Sequence, residues 1–308
     1  MSRIAPLLLS TWLALTSATA AITASHAADA ARYDTSRIVS VGGAVTEILY
    51  ALGLQKQIVA VDSTSLFPRD VLKEKTNVGY LRQLSPEGVL GLNPTMIIAA
   101  EGAGPKETIE VIEQASIPFV HIPDHFSGDG IVEKIRLIAT TTGRNATGDC
   151  LASQVQRDLD RLSALRRQIG APARVLFILS FVNGRAMVAG SDTAADGIIK
   201  LAGGVNAMAG FRGYKPVSDE AILAAQPDTV LTMQRPDQAL TADDVLRHPA
   251  FAQTRAARRK SFLSFDGLYL LGFGPRTASA AHDLALALYP TLSKDAPEPP
   301  AVSSSCLQ

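Results

Sequence analysis

The sequence predicts an α/β protein of two similar lobes, each built on a parallel sheet, joined by a long helical spine. Three observations predict it: a buried-strand pattern that opens each half, a segment that occurs twice, and an amphipathic run between the halves.

The strand pattern comes first. Residues 37–41 (Arg-Ile-Val-Ser-Val) and 174–179 (Arg-Val-Leu-Phe-Ile-Leu) are short, mostly apolar runs, as expected of strands covered on both faces. After the first, Gly42 and Gly43 turn the chain into a helix carrying Glu47, Ile48, Leu49 and Leu52, and Gly53 stops it. After the second come a turn at Asn183-Gly184 and a helix with Ala195, Ile198, Ile199 and Leu201, stopped by Gly203-Gly204. Glycine just past the last turn accepts the left-handed conformation that ends a helix.

The repeat is the strongest signal. Residues 85–98, beginning Ser85-Pro86-Glu87, align without gaps to 218–231, beginning Ser218-Asp219-Glu220, at an offset of 133 residues. Each copy reads as a serine N-cap, a short helix, a proline-containing turn and a buried strand. A period this long is that of a duplicated lobe and far exceeds a solenoid unit.

Between the halves, Leu151, Val155, Leu159, Leu162, Leu165 and Ile169 step by three or four, with charged residues filling the other positions. That is one apolar helical face. A helix of ~24 residues would be ~36 Å long, enough to run along both lobes and to limit their closure.

The ends and the composition bound the class. Arg3 precedes an apolar run with Leu7, Leu8, Leu9, Trp12, Leu13 and Leu15, and small residues follow, with cleavage options after Ala20 or Ala27. This reads as a secretory signal peptide, too short for a membrane span. No cysteine sits near the cleavage site to carry a lipid anchor, so the mature protein is expected to be soluble and periplasmic. The expected boundaries are a signal peptide over 1–27, a first lobe over 35–144, a connecting helix over 145–170, a second lobe over 171–291 and a disordered tail over 292–308. Of the 308 residues 47% are apolar and 19% charged, and 29 basic residues balance 29 acidic ones. Such a chain has no charge bias toward nucleic acid or a membrane surface. The two cysteines are Cys150 and Cys306. An oxidising compartment permits a bridge between them, but Cys306 lies in a tail rich in proline and serine, and the expectation is that they stay unpaired.

The two-lobe repeat, the helical spine, the signal peptide and the Ser-x-Glu helices together resemble the metal-chelate binding proteins of ABC importers, which carry cobalamin, ferric siderophores or haem. Within that class, Gly79-Tyr80-Leu81-Arg82-Gln83-Leu84-Ser85 and Phe211-Arg212-Gly213-Tyr214-Lys215-Pro216 are similar to the periplasmic haemin-binding proteins of the HmuT type. The likeness covers about residues 35 to 290. It implies a ligand cleft between the lobes, haem b as transported ligand, and no enzymatic activity. The implied partners are a dimeric ABC permease with its ATPase subunits, and the carrier is expected to be a monomer that meets the membrane only through the permease. A ferric-siderophore or cobalamin carrier is the alternative within the class. An exported chelatase or metallohydrolase is the alternative outside it, against which stands the absence of Gly-x-Ser-x-Gly, P-loop and His-Glu-x-x-His patterns.

The resemblance and the chemistry assign roles together. Tyr80 is the expected haem axial ligand, a phenolate oxygen suited to ferric iron. A free phenol has a pKa near ~10, so Arg82, two residues on, is expected to support the phenolate by charge. Arg212, Tyr214 and Lys215 are the expected propionate and haem contacts. Phe181, Met187, Tyr269 and Phe273 are candidate haem walls. Glu87 and Glu220, matched through the repeat, are implied to dock into the two permease subunits. No histidine lies near 180–185, which favours five-coordinate iron through Tyr80. His121 and His125 flank Pro123, which argues for a loop and against a helical zinc site.

Overall fold

The computed structural model describes residues 33–234, 240–292 and Cys306. The signal peptide expected over 1–27 and all of the tail expected over 292–308 except Leu292 and Cys306 lie outside the described residues.

The first lobe alternates strand and helix as the patterns require. It begins with β1 (Ile38–Val41), α1 (Gly43–Ala51), β2 (Ile58–Val61), α2 (Val71–Glu74) and β3 (Thr76–Asn77). It continues with α3 (Pro86–Leu90), β4 (Met96–Ala100), α4 (Lys106–Glu113), β5 (Phe119–Ile122) and α5 (Gly128–Thr142). The five strands form one wholly parallel sheet in the order β3-β2-β1-β4-β5. β1 and β4 are buried on both faces, as parallel strands covered by crossover helices must be.

The spine is α6 (Asn145–Arg166), 22 residues and about 33 Å long. It ends four residues before the expected limit. Leu151, Val155, Leu159, Leu162 and Leu165 form its buried stripe, while Ile169, past the helix end, packs beside Gly203.

The second lobe opens with β6 (Arg174–Val182), β7 (Arg185–Ala189), α7 (Ala194–Leu201), β8 (Val205–Asn206) and β9 (Tyr214–Pro216). There follow α8 (Asp219–Ala225), β10 (Thr229–Gln234), α9 (Ala242–Leu246), α10 (Pro249–Ala252) and α11 (Arg255–Arg259). β11 (Phe262–Asp266), α12 (Gly267–Leu271) and α13 (Thr277–Leu288) complete it. The sheet order is β11-β10-β6-β7-β9, with β8 paired to β6. Here the expectation of a parallel sheet holds for only part of the sheet. β10, β11 and β8 join in parallel, but β7 runs antiparallel to both β6 and β9. The cause is the turn at Asn183 (φ 50) and Gly184 (φ 75), a pair of left-handed residues that folds a strand straight back into a hairpin.

The repeat survives in three dimensions. Ser85 caps α3 by accepting from the Gly88 amide, and Ser218 caps α8 by accepting from the Ala221 amide. β4 and β10 start at the repeat-equivalent residues Met96 and Thr229.

Strand alternation splits the core into layers. Val39, Val41 and Ile97 face a cluster private to the first lobe, and Leu176, Ile178 and Val230 face one private to the second. Ile38, Ile98, Val175, Phe177 and Leu231 face a third cluster that both lobes share, filled by α1, α5, α6, α7 and α13. One continuous core therefore runs through the waist of the molecule. At the waist the Arg276 guanidinium grips the Glu47 carboxylate with two bonds of 3.0 and 2.9 Å and lies 3.7 Å over the Phe67 ring. A Cβ on Gly43 would come within 2.5 Å of Leu268 and 2.6 Å of the Thr64 carbonyl, so only glycine lets the lobes approach this closely.

The expectation for the cysteines is overturned. Cys150, in the second turn of α6, is joined to Cys306 in a disulfide with Cα atoms 5.7 Å apart, within the span a bridge can cross. Composition reports how a tail behaves when free, and says nothing of a covalent tie at its end.

Two measurements follow. Burial raises the Glu47 carboxyl above its ordinary value of 4.5 even against the pull of Arg276. Arg276→Ala leaves that carboxylate without its cation and should cost about 3–5 kcal/mol near neutral pH. A raised folded pKa adds stability below the unfolded value and loses it as pH rises through the folded one. Denaturant unfolding from pH 7 down toward pH 4.5 should therefore show the variant's deficit shrinking. The disulfide closes a loop with a sequence separation of 156 residues. Cys306→Ser, or reductant on the wild type, should lower unfolding stability by about 2–4 kcal/mol, and reductant should do nothing further to the variant.

Candidate functional site

Between the lobes lies a cavity of about 670 Å³, within the usual range for a small-molecule site. It sits where parallel strands end. The turns after β1 (Gly42, Gly43), β2 (Ser63, Thr64, Leu66), β3 (Tyr80, Leu81) and β5 (Asp124) form its first-lobe wall, together with Ala100 at the end of β4. The end of β10 (Met233, Gln234) and α12 (Leu268, Leu271) form the other. Ligands of open parallel sheets bind at this edge because the loops there are free to diverge.

Tyr80 is on the cavity wall and 43% exposed. The loop that presents it is held by backbone bonds. Gly79 has φ 91, a left-handed conformation suited to glycine. Its amide donates to Asn77 Oδ1 and its carbonyl accepts from the Ser63 amide. Beyond it, the Gln83 amide donates to the Tyr80 carbonyl at 2.7 Å. Among the described residues the Tyr80 phenol has no hydrogen-bond partner. Arg82 is exposed on the same loop. Its charge acts on Tyr214 of the opposite lobe, where it favours the ionised phenol.

The second-lobe candidates lie away from the cavity lining. Tyr214 is on the edge strand β9, with its ring edge-on to Phe177. It is 37% exposed, and desolvation raises the phenol's pKa against the opposing pull of the Ala195 backbone, the Thr193 side chain and the Arg82 charge. Arg212 is ion-paired to Asp192 at 2.6 Å, and the Lys215 ammonium sits 5.5 Å over the Phe211 ring.

Of the candidate walls, Phe273 is contradicted outright. It is 1% exposed and packs against Phe126 across the waist, so it belongs to the shared core. Phe181 stacks on His248 at 4.8 Å and packs on the private core of the second lobe. Met187 is on β7 opposite Ser180 and Pro216. Tyr269 is on α12 beside the cavity, where its hydroxyl donates to Asp283 at 2.9 Å. The apolar surface comes instead from Leu66, Leu81, Met233, Leu268 and Leu271. These are single residues at strand ends and on a five-residue helix, where no periodicity marks them.

Asp124 adds a carboxylate to the wall, bound by Lys134, whose side chain is buried beneath it. Among the described residues no histidine lines the cavity. His121 and His125 pair with Glu113 and Glu133 at the surface, and His248 accepts from the Ala250 amide. Among the described residues no group of three or more His, Cys, Asp or Glu could hold a metal ion.

Glu87 and Glu220 are both exposed, in the first turns of α3 and α8. β3 runs parallel to β2. β9 is antiparallel to β7, which is antiparallel to β6, so β9 runs the same way as β6. Both helices therefore start on the cavity side of their sheets, one glutamate per lobe. The Glu220 carboxyl is held below its ordinary value by bonds to its own amide and to Ser218, with Arg185 adding to the effect.

Comparison with known proteins matches this architecture. The family described as periplasmic binding protein matches residues 38–267. The apo periplasmic heme-binding protein RhuT from Roseiflexus sp. RS-1 is 40% identical, with a TM-score of 0.79 over 84% of this chain and 100% of that one. The periplasmic heme-binding protein BhuT, solved with two hemes, is 35% identical, with a TM-score of 0.78 over 83% of this chain and 99% of that one. A vitamin B12-binding protein of Pectobacterium carotovorum is 27% identical over 66% of this chain and 72% of its own length.

Proposed function

Because the chain belongs to the periplasmic binding protein family, we propose that it is the carrier of a haem importer, taking haem between its lobes and handing it to an ABC permease in the inner membrane. It is a binding protein and not an enzyme. The observation that carries the reading is Tyr80, an unbonded phenol on the wall of an otherwise largely apolar interlobe cavity. An apolar slot suits the porphyrin faces, and a phenolate oxygen suits ferric iron. Solved relatives at 35–40% identity are named as heme-binding proteins. Arg82 supplies a cation two residues from the ligand oxygen, and Arg212 and Lys215 supply cations on the second lobe for propionates that reach past the cavity mouth. Export runs through the apolar N-terminal segment, with Cys150 the first cysteine of the chain.

Cobalamin is the second reading, favoured by the B12-binding relative. Absorption separates the two. Ferric haem added to the mature protein should give a saturable, high-spin, tyrosinate-type spectrum that Tyr80→Ala abolishes, and the titration endpoint gives the number of haems bound. Saturable binding of cobalamin with no response to haem would reverse the assignment.

Delivery is read from the paired glutamates, placed alike on the two lobes. Glu87→Ala and Glu220→Ala should leave the haem spectrum unchanged. In vesicles carrying the cognate importer they should lower haem uptake, the double variant most, and unaltered uptake by the double variant would remove the docking role.

A further inference from the structure

We propose that Asp62 is the positioning residue of the first-lobe binding wall and sets the place of Tyr80 through the Ser63 amide. The inference rests on the reading of Tyr80 given above. Asp62 follows β2 and is 0% exposed. Its Oδ1 accepts from the Gly42 amide at 2.8 Å and the Ser65 hydroxyl at 2.9 Å. Its Oδ2 accepts from the Thr64 amide at 2.9 Å and the Thr64 hydroxyl at 2.6 Å. An amide can only donate, so both oxygens are acceptors. None of the four donors is charged, and a buried carboxylate without a cation is costly unless its lone pairs are met by donors.

Those donors lie in two of the four turns that build the first-lobe wall. Gly42 begins the turn after β1, and Thr64 and Ser65 shape the turn after β2. The third turn hangs from the second. With Thr64 and Ser65 folded back onto Asp62, the Ser63 amide faces outward and donates to the Gly79 carbonyl at 2.8 Å, and the Val78 amide donates to Val61 at 2.9 Å. Tyr80 is the next residue. A second set of bonds braces the carboxylate from behind. The Ser65 and Thr46 hydroxyls are 2.7 Å apart, as are those of Thr46 and Ser40. Since Ser65 donates to Asp62, it accepts from Thr46, and Thr46 accepts from Ser40. The whole row of buried hydroxyls thus points at one carboxylate. A residue needed only for folding could be met by any buried donor pair. Here the donors are the cavity-lining turns themselves.

Asp62→Asn is the test. It keeps the shape but turns an NH2 toward the Gly42 or Thr64 amide. Hydrogen exchange at Gly42, Ser63 and Thr64 in the haem-free protein should quicken while global unfolding stability, measured alongside, stays cooperative. The ferric-haem spectrum should lose tyrosinate character, and affinity should fall about tenfold to a hundredfold, the usual cost of losing a residue that orients a metal ligand. If the Asn variant does not fold, Ser65→Ala removes one donor and should move the same readouts by less. Wild-type exchange and a wild-type spectrum in the variant that folds would overturn the proposal. Tyr80→Phe run in parallel keeps the two readings apart. If it leaves the haem spectrum unchanged, the Tyr80 assignment fails, and the exchange data alone decide whether Asp62 organises the wall.

Discussion

The waist of the molecule constrains everything above it. A shared apolar core passes from Ile38 and Leu49 in one lobe to Phe177 and Leu284 in the other without a break, and the Glu47–Arg276 pair closes its upper edge. An ion pair in that position adds little net stability over apolar residues, because two charges must be stripped of water. What it supplies is direction. The planar guanidinium meets the carboxylate in two parallel bonds and stacks on Phe67, so it fixes the angle between the lobes as well as their separation. With the floor rigid, the loops at the strand ends can differ freely without moving the lobes.

Those loops show how a duplicated lobe diverges. Tyr80 and Tyr214 stand at nearly equivalent places, a few residues before the serine that caps the next helix. Tyr80 follows a left-handed glycine that carries it onto the cavity wall, and its hydroxyl is free of protein partners among the described residues. Tyr214 belongs to an edge strand, with its ring edge-on to Phe177. The hairpin at Asn183-Gly184 accounts for the difference, since it lays β7 beside β9 and gives the second phenol a strand to sit in. One copy sets its phenol on the cavity wall, the other on an edge strand away from the lining.

Much of the fold was legible because it is written in local patterns. Apolar runs gave the strands, serine-x-glutamate gave the caps, and the three-four stepping of Leu151 to Leu165 gave the spine. Tyr80 was singled out by its short motif, and the structure sets it on the cavity wall. The rest depends on residues far apart in the chain. Glu47 and Arg276 are 229 positions apart, and neither differs in sequence from a surface charge. The cavity walls are single leucines contributed by separate strand ends, and Phe273, which looks like a ligand wall between two glycines, is drawn into the core by Phe126. Asp62 did leave a local trace. An aspartate followed by Ser63, Thr64 and Ser65 after a strand is a turn in which the side chain binds its own backbone, but that pattern does not say which other loops the carboxylate also holds.

The bond between Cys150 and Cys306 changes the chain's connectivity. From Cys150 onward the polypeptide is a closed ring containing most of the spine and the whole second lobe, with the first lobe as a pendant on one side. A single cut in that ring opens it without releasing a fragment. The second lobe can therefore suffer one proteolytic break in an exposed loop and keep both pieces covalently attached to the spine, a tolerance that the first lobe, outside the ring, does not share.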